Sequence, residues 1–135
     1  MSEGDRGPLQ PEGETAIEVL DRPGTLRDGA ARAILAADLD VKTALAQETA
    51  RRWHARRISL RSPLDTRPPD RPGRPERPEL VPPTKVTRRS LHSPRGRVAL
   101  LHAIAHIELN AIDLALDIVA RFAAAPMPQS FFDGW

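Results

Sequence analysis

Residues 93–126 read SPRGRVALLHAIAHIELNAIDLALDIVARFAAAP, and this stretch decides the fold. Ser93 is suited to an N-cap, where its oxygen accepts orphan amides of the first turn. Pro94 suits the first helical position, and no further proline interrupts the run before Pro126. At about 1.5 Å per residue the helix is roughly 45 Å long. That exceeds what decorates a small domain and predicts a helical bundle.

Advancing about 100° per residue from Glu108, the side chains of Leu101, Ile104, Ala111, Ile112, Ala115, Val119 and Phe122 fall within about 60° of it. Glu108 therefore stands at the centre of the apolar arc. His102, His106, Asn110, Asp113, Asp117 and Arg121 lie on the opposite side, which reads as a solvated or polar-packed surface. Of the helix's three carboxylates only Glu108 is expected to point inward. A buried carboxylate must be protonated, paired with a cation or bound to a metal. Helix geometry leaves two readings open, an inward salt bridge to an arginine of the basic segment described below, or a metal ligand or catalytic acid of the kind bundle enzymes aim at a common axis.

His102 and His106 are four apart, a spacing at which two imidazoles can share one metal. Ala103 occupies the place where a metalloprotease motif requires glutamate. Both rings lie about 120° to 160° around the helix from Glu108, so neither joins it at one ion. They are carried as alternative metal ligands beside a structural role. His54 and His92 have no constellation around them.

The rest of the chain is organised around proline and charge. Of 135 residues, 14 are proline and 4% are aromatic, with no tyrosine and no cysteine, so an all-α core must rest on aliphatic side chains and no thiolate chemistry is available. Residues 51–97 hold 14 of the 20 basic side chains against four acids, giving +10 there and −8 elsewhere. Such a block either meets an acidic partner or clasps the chain's own acidic parts. Residues 1–13 show no periodicity and are expected to be disordered. Residues 14–61 read as short helices, at Glu14 to Leu20, Thr25 to Ala37 and Asp40 to Arg57, with Pro23-Gly24 as a breaker and Thr25 and Asp40 as N-caps. Leu26, Ala30, Ala33, Ile34 and Ala37 recur on one side of the second, and Val41, Ala44, Leu45 and Trp53 on one side of the third.

Residues 62–93 form a Pro/Arg-rich strap. Nine of the prolines fall between Ser62 and Pro94, with Pro69, Pro72, Pro75 and Pro78 three apart, which favours extended chain over helix or central strand. The same spacing meets the minimal pattern read by proline-binding domains, a weak signal beside a strap within its own protein. No apolar run approaches a membrane span, and no export signal opens the chain, so a cytoplasmic protein without a membrane partner is expected. Phosphate-loop, dinucleotide and nucleophile-elbow motifs are absent.

The run RVALLHAIAHIELNAIDLALDIVARF, followed by MPQSFFDGW and preceded by RPGRPERPELVPP and SPRGR, resembles bacterial ferritin-like proteins of domain of unknown function family 455, over about residues 40–135. The resemblance implies that residues 94–135 are the first helix of a four-helix bundle and the start of the next connection. It further implies a di-iron centre, oxygen-dependent oxidase or hydroxylase chemistry, and Glu108 as the first helix's iron ligand. The chain contains no Glu-x-x-His, the pattern that supplies imidazole ligands in such bundles. It is therefore expected to be the N-terminal part of a longer protein, inactive and without stably bound iron by itself. Its apolar arc, roughly 200° wide, predicts self-association. The competing expectation is a helical interaction module whose Arg/Pro strap binds nucleic acid or an acidic partner, weakened by the lack of stacking aromatics in the basic block.

Overall fold

The computed structural model describes residues 24–77, 79, 81–85 and 92–135. Among them the chain is all-helical, without a strand. The elements are α1 (Leu26–Leu35), α2 (Leu39–His54), a 3-10 turn at Pro83–Lys85, α3 (Pro94–Phe122) and α4 (Gln129–Asp133). The expected disordered tail 1–13, the helix at 14–20 and strap residues 86–91 lie outside the described residues. No helix among those described is long and apolar enough to cross a membrane.

The caps explain where the helices start. The Thr25 side chain accepts from the Asp28 amide, and the Ser93 side chain accepts from the Gly96 amide with Pro94 opening α3, both as expected. The third expected cap is displaced: Asp38, and not Asp40, accepts from the Val41 amide, so α2 begins at Leu39. Asp40 instead lies in the first helical turn, where a carboxylate favours the helix dipole. α1 stops at Leu35, two residues before the expected Ala37. α2 stops at His54, where Arg56 turns into the left-handed region at φ 57°. α4 lies in the stretch expected to begin the next connection.

α1 is the hub, packed against both α2 and α3. Leu26, Ala30, Ile34, Trp53, Val119, Ala120 and Phe132 form the core, with Ile58, Leu60, Leu116 and Phe131 packed at its edge. Gly29 brings α1 and α2 together: a Cβ there would stand 2.3 Å from Thr49 Oγ1 and 3.0 Å from Thr49 Cβ, so rotating the threonine does not relieve the clash. Gly29→Ala should therefore destabilise the fold by about 1–3 kcal/mol despite alanine's better helix propensity. Urea denaturation compared with a Gly29→Ala, Thr49→Ala double variant checks this, because the second change should restore much of the loss.

The described strap residues from Asp65 to Arg74 are held against their own chain. The α1 amides of Leu26 and Arg27, unpaired within the helix, donate to the carbonyls of Ser59 and Leu60 at 2.9 and 3.0 Å. Thr66 donates through its amide and hydroxyl to Asp28, and Thr25 donates to Asp65 at 2.7 Å. Farther along, Gly73 donates its amide to the Ile34 carbonyl at 2.8 Å, and Arg121 donates to the Pro69 carbonyl at 2.8 Å. The strap thus runs antiparallel along α3, from Pro69 beside Arg121 to Arg74 beside Asn110.

Candidate functional site

The face of α3 expected to be solvated or polar-packed is exposed at His102, His106, Asn110 and Arg121 and polar-packed at its middle, at Asp113. Asp113 is buried and accepts from Lys42 Nζ at 2.7 Å, and Lys42 is 0% exposed. Lys42 spends its other donors on the Ala33 and Ile34 carbonyls at 3.0 and 2.8 Å, so one ammonium closes the C-terminus of α1 and ties α2 to α3. Arg74 reaches the same carboxylate from the strap, its Nη2 2.7 Å from Asp113 Oδ2 and donating to Asn110 Oδ1. The inward carboxylate paired with an arginine of the strap therefore exists, but it is Asp113, not Glu108.

Glu108 is exposed. Around it Leu101 is 66% exposed and Ile107 63% exposed, and Val98, Ile104 and Leu114 are likewise open. Only at the C-terminal end, from Leu116 through Val119 to Ala123, does the apolar arc turn into the core. Sequence periodicity located the arc correctly. Towards the N-terminus the arc stays open, while Lys42 and Arg74 draw Asp113 on the opposite side inward.

A groove of about 310 Å³ continues the Glu108 face. Ala46, Ala50 and Trp53 of α2 form one wall, Ile112, Ala115 and Val119 of α3 the other, and Ala30 lies at its floor. α4 closes one end, with Phe132 1% exposed in the core and Asp133 accepting from Trp53 Nε1 at 2.9 Å and from both Arg56 amino groups at 2.7 and 2.9 Å. The guanidinium of Arg56 holds the Asp133 carboxyl below the ordinary aspartate range, against a smaller opposing effect of burial. A carboxyl depressed in the folded state stabilises fully above its unfolded value, near 3.8, and the contribution is lost as pH falls through the lower folded value. An acid titration followed by tryptophan fluorescence should show this release of α4, and Asp133→Asn should lack that step.

His102 and His106 are both exposed and line a separate cavity of about 280 Å³ with Leu39, Arg74, Pro75, Ala105 and Leu109. Neither approaches Glu108. Among the described residues no three His, Cys, Asp or Glu side chains converge as metal ligands would. The structure thus brings His102 and His106 together, leaves Glu108 alone on an open apolar face, and adds a triad that sequence reasoning missed, the buried Lys42 and Asp113 with the half-buried Arg74. The signal for Lys42 was faint, a lysine one residue beyond the apolar Val41 of α2.

Residues 35–135 match the sequence profile of a family described as "Protein of unknown function (DUF455)". An uncharacterized protein of Haemophilus influenzae is 56% identical over 48 residues, which are 36% of this chain and 17% of that protein. The aligned stretch is thus under a fifth of a relative roughly twice as long as this chain. No solved structure matches.

Proposed function

The chain belongs to domain of unknown function family 455, matched over residues 35–135, and from that premise we propose that it is the scaffold and first helix of a ferritin-like carboxylate bundle that performs oxygen-dependent oxidation at a di-iron centre. The observation that carries this reading is the exposed Glu108 at the middle of an exposed aliphatic face, while on the other side of the same helix Asp113 is buried and tied to Lys42 and Arg74 of its own chain. Leaving that much aliphatic surface in water is unfavourable by about 25 cal/mol per Å². A helix whose aliphatic face stands open along most of its length is one that further helices cover.

The residues described do not fit an iron pair by themselves. Such a centre takes several carboxylates and imidazoles from facing helices, and here one exposed carboxylate stands without a second ligand. Glu108 would supply one ligand, with the remainder brought by the covering helices. α1, α2 and the strap would act as the brace that fixes the axis of α3. The Lys42, Arg74 and Asp113 triad fixes its rotation, so that Glu108 faces away from the brace.

Two tests bear on this reading. The coding sequence beyond codon 135, read in all frames, should encode helices with Glu-x-x-His; its lack would defeat the assignment. The chain alone should self-associate as concentration rises, and Leu101→Lys with Ile107→Lys should reduce that association without lowering stability, because both side chains are exposed. Sedimentation velocity and thermal melts measure the two effects.

A further inference from the structure

We propose that the groove between α2 and α3 is the seat of the chain's own residues 14–20, whose apolar side chains complete the core there. This is independent of the carboxylate-bundle reading, which concerns the open face of α3 around Leu101, Ile107 and Glu108. α2 and α3 both pack on α1. Between them Ala30, Ala46, Ala50 and Ala115 present methyl groups where larger side chains would close the space, and no Asp, Glu, Lys or Arg lines it.

Size and chemistry select the occupant. A cavity of roughly 150 Å³ holds a benzene ring, so a groove of about 310 Å³ takes two branched aliphatic side chains together. Residues 14–20, ETAIEVL, lie outside the described residues and carry a matching face in their sequence. Advancing about 100° per residue, Ala16, Ile17, Val19 and Leu20 fall within about 80° of one common direction, and Glu14 and Glu18 stand about 160° from it. Laying the first set in the groove leaves both carboxylates in water.

Tethering decides between this segment and a free partner. Four steps of chain join Leu20 to Gly24 and span at most about 14 Å. Leu26, two residues further on, already lines the groove. A connection that short holds the segment at an effective concentration on the order of millimolar, so a second copy offering equal contacts at micromolar concentration is outcompeted by about a thousandfold.

The chain has no cysteine, so introduced thiols report only on themselves. In the full chain, Ile17→Cys is combined in turn with Ala50→Cys and Ala115→Cys, on the two walls of the groove, and with Leu64→Cys, 93% exposed on the strap. Because a disulfide needs Cα atoms within about 7 Å, at least one wall pair should close within the chain about tenfold faster than the Leu64 pair under mild oxidation. As a second measurement, Ile17→Asp with Leu20→Asp should lower the melting temperature by about 4 °C or more, whereas Glu14→Gln with Glu18→Gln should leave it unchanged. The proposal is overturned if neither wall pair closes within the chain, if the Leu64 pair closes as fast as both, if the wall pairs close only between chains, which would assign the groove to a second copy, or if the two aspartates leave the melting temperature unchanged.

Discussion

Replacing Lys42 by methionine should cost about 3–5 kcal/mol of stability, enough to leave a small domain largely unfolded at room temperature. Methionine fills nearly the same volume, so packing is kept and the loss is electrostatic. The ammonium makes three hydrogen bonds at 2.7 to 3.0 Å, and removing it leaves two helix-terminal carbonyls without that donor and Asp113 with Arg74 as its remaining cation. Deleting one member of a buried ion pair exposes the full desolvation penalty of the other, whereas deleting both avoids it. The Lys42→Met, Asp113→Asn double variant should therefore be more stable than Lys42→Met alone. Equilibrium urea denaturation of the four members of this cycle measures the coupling, and strict additivity would remove the triad from its place at the centre of the fold.

Phe132→Ala should cost a further class of contact, by about 3–5 kcal/mol. The ring is 1% exposed and belongs to the same core cluster as Trp53 and Val119, and Phe131 meets it edge-on with centroids 5.1 Å apart. A five-residue helix cannot hold itself, so α4 depends on this anchor and on the Asp133 contacts to Arg56 and Trp53. Losing the ring should free residues 126–135 as well as destabilise the core. Limited proteolysis should accordingly cut Phe132→Ala near Met127 much faster than the parent, and hydrogen exchange should localise the change to α4 and the end of α2.

The strap gives a smaller effect of the same kind. A Cβ on Gly73 would stand 2.1 Å from the Leu35 carbonyl oxygen, a backbone atom that cannot rotate away. Gly73→Ala should lift the strap from the end of α1 at a cost of about 1–3 kcal/mol and increase cleavage within residues 66–77.

What the sequence disclosed follows from which forces act locally. Caps and breakers are local, so Thr25, Ser93 and Pro94 placed two helix starts. The long helix followed from uninterrupted periodicity. Asp38 displaced Asp40 because either could cap, and only the reversal after α1 decides between them. The rotation of α3 was not legible, because it depends on Lys42 and Arg74, 71 and 39 residues away from Asp113, meeting one carboxylate. Polarity alone left that carboxylate on a face that could be solvated or polar-packed. Gly73 looked like an ordinary strap residue until the carbonyl of Leu35 was seen beneath it. For Glu108 the sequence identified the right residue as exceptional, since it is charged among aliphatics, while its surroundings depend on what covers the open face.

The most direct test of the central claim is the iron content of the longest polypeptide that the coding region specifies, reconstituted with ferrous iron and compared with its Glu108→Ala variant. The account predicts about two irons per chain in the parent and a substantial loss in the variant. Helix content and melting temperature should stay unchanged before iron is added, because the exposed Glu108 side chain is no part of the core, to which α3 contributes Val119 and Ala120. A parent that binds no iron, or a variant that keeps its full complement, would contradict the account.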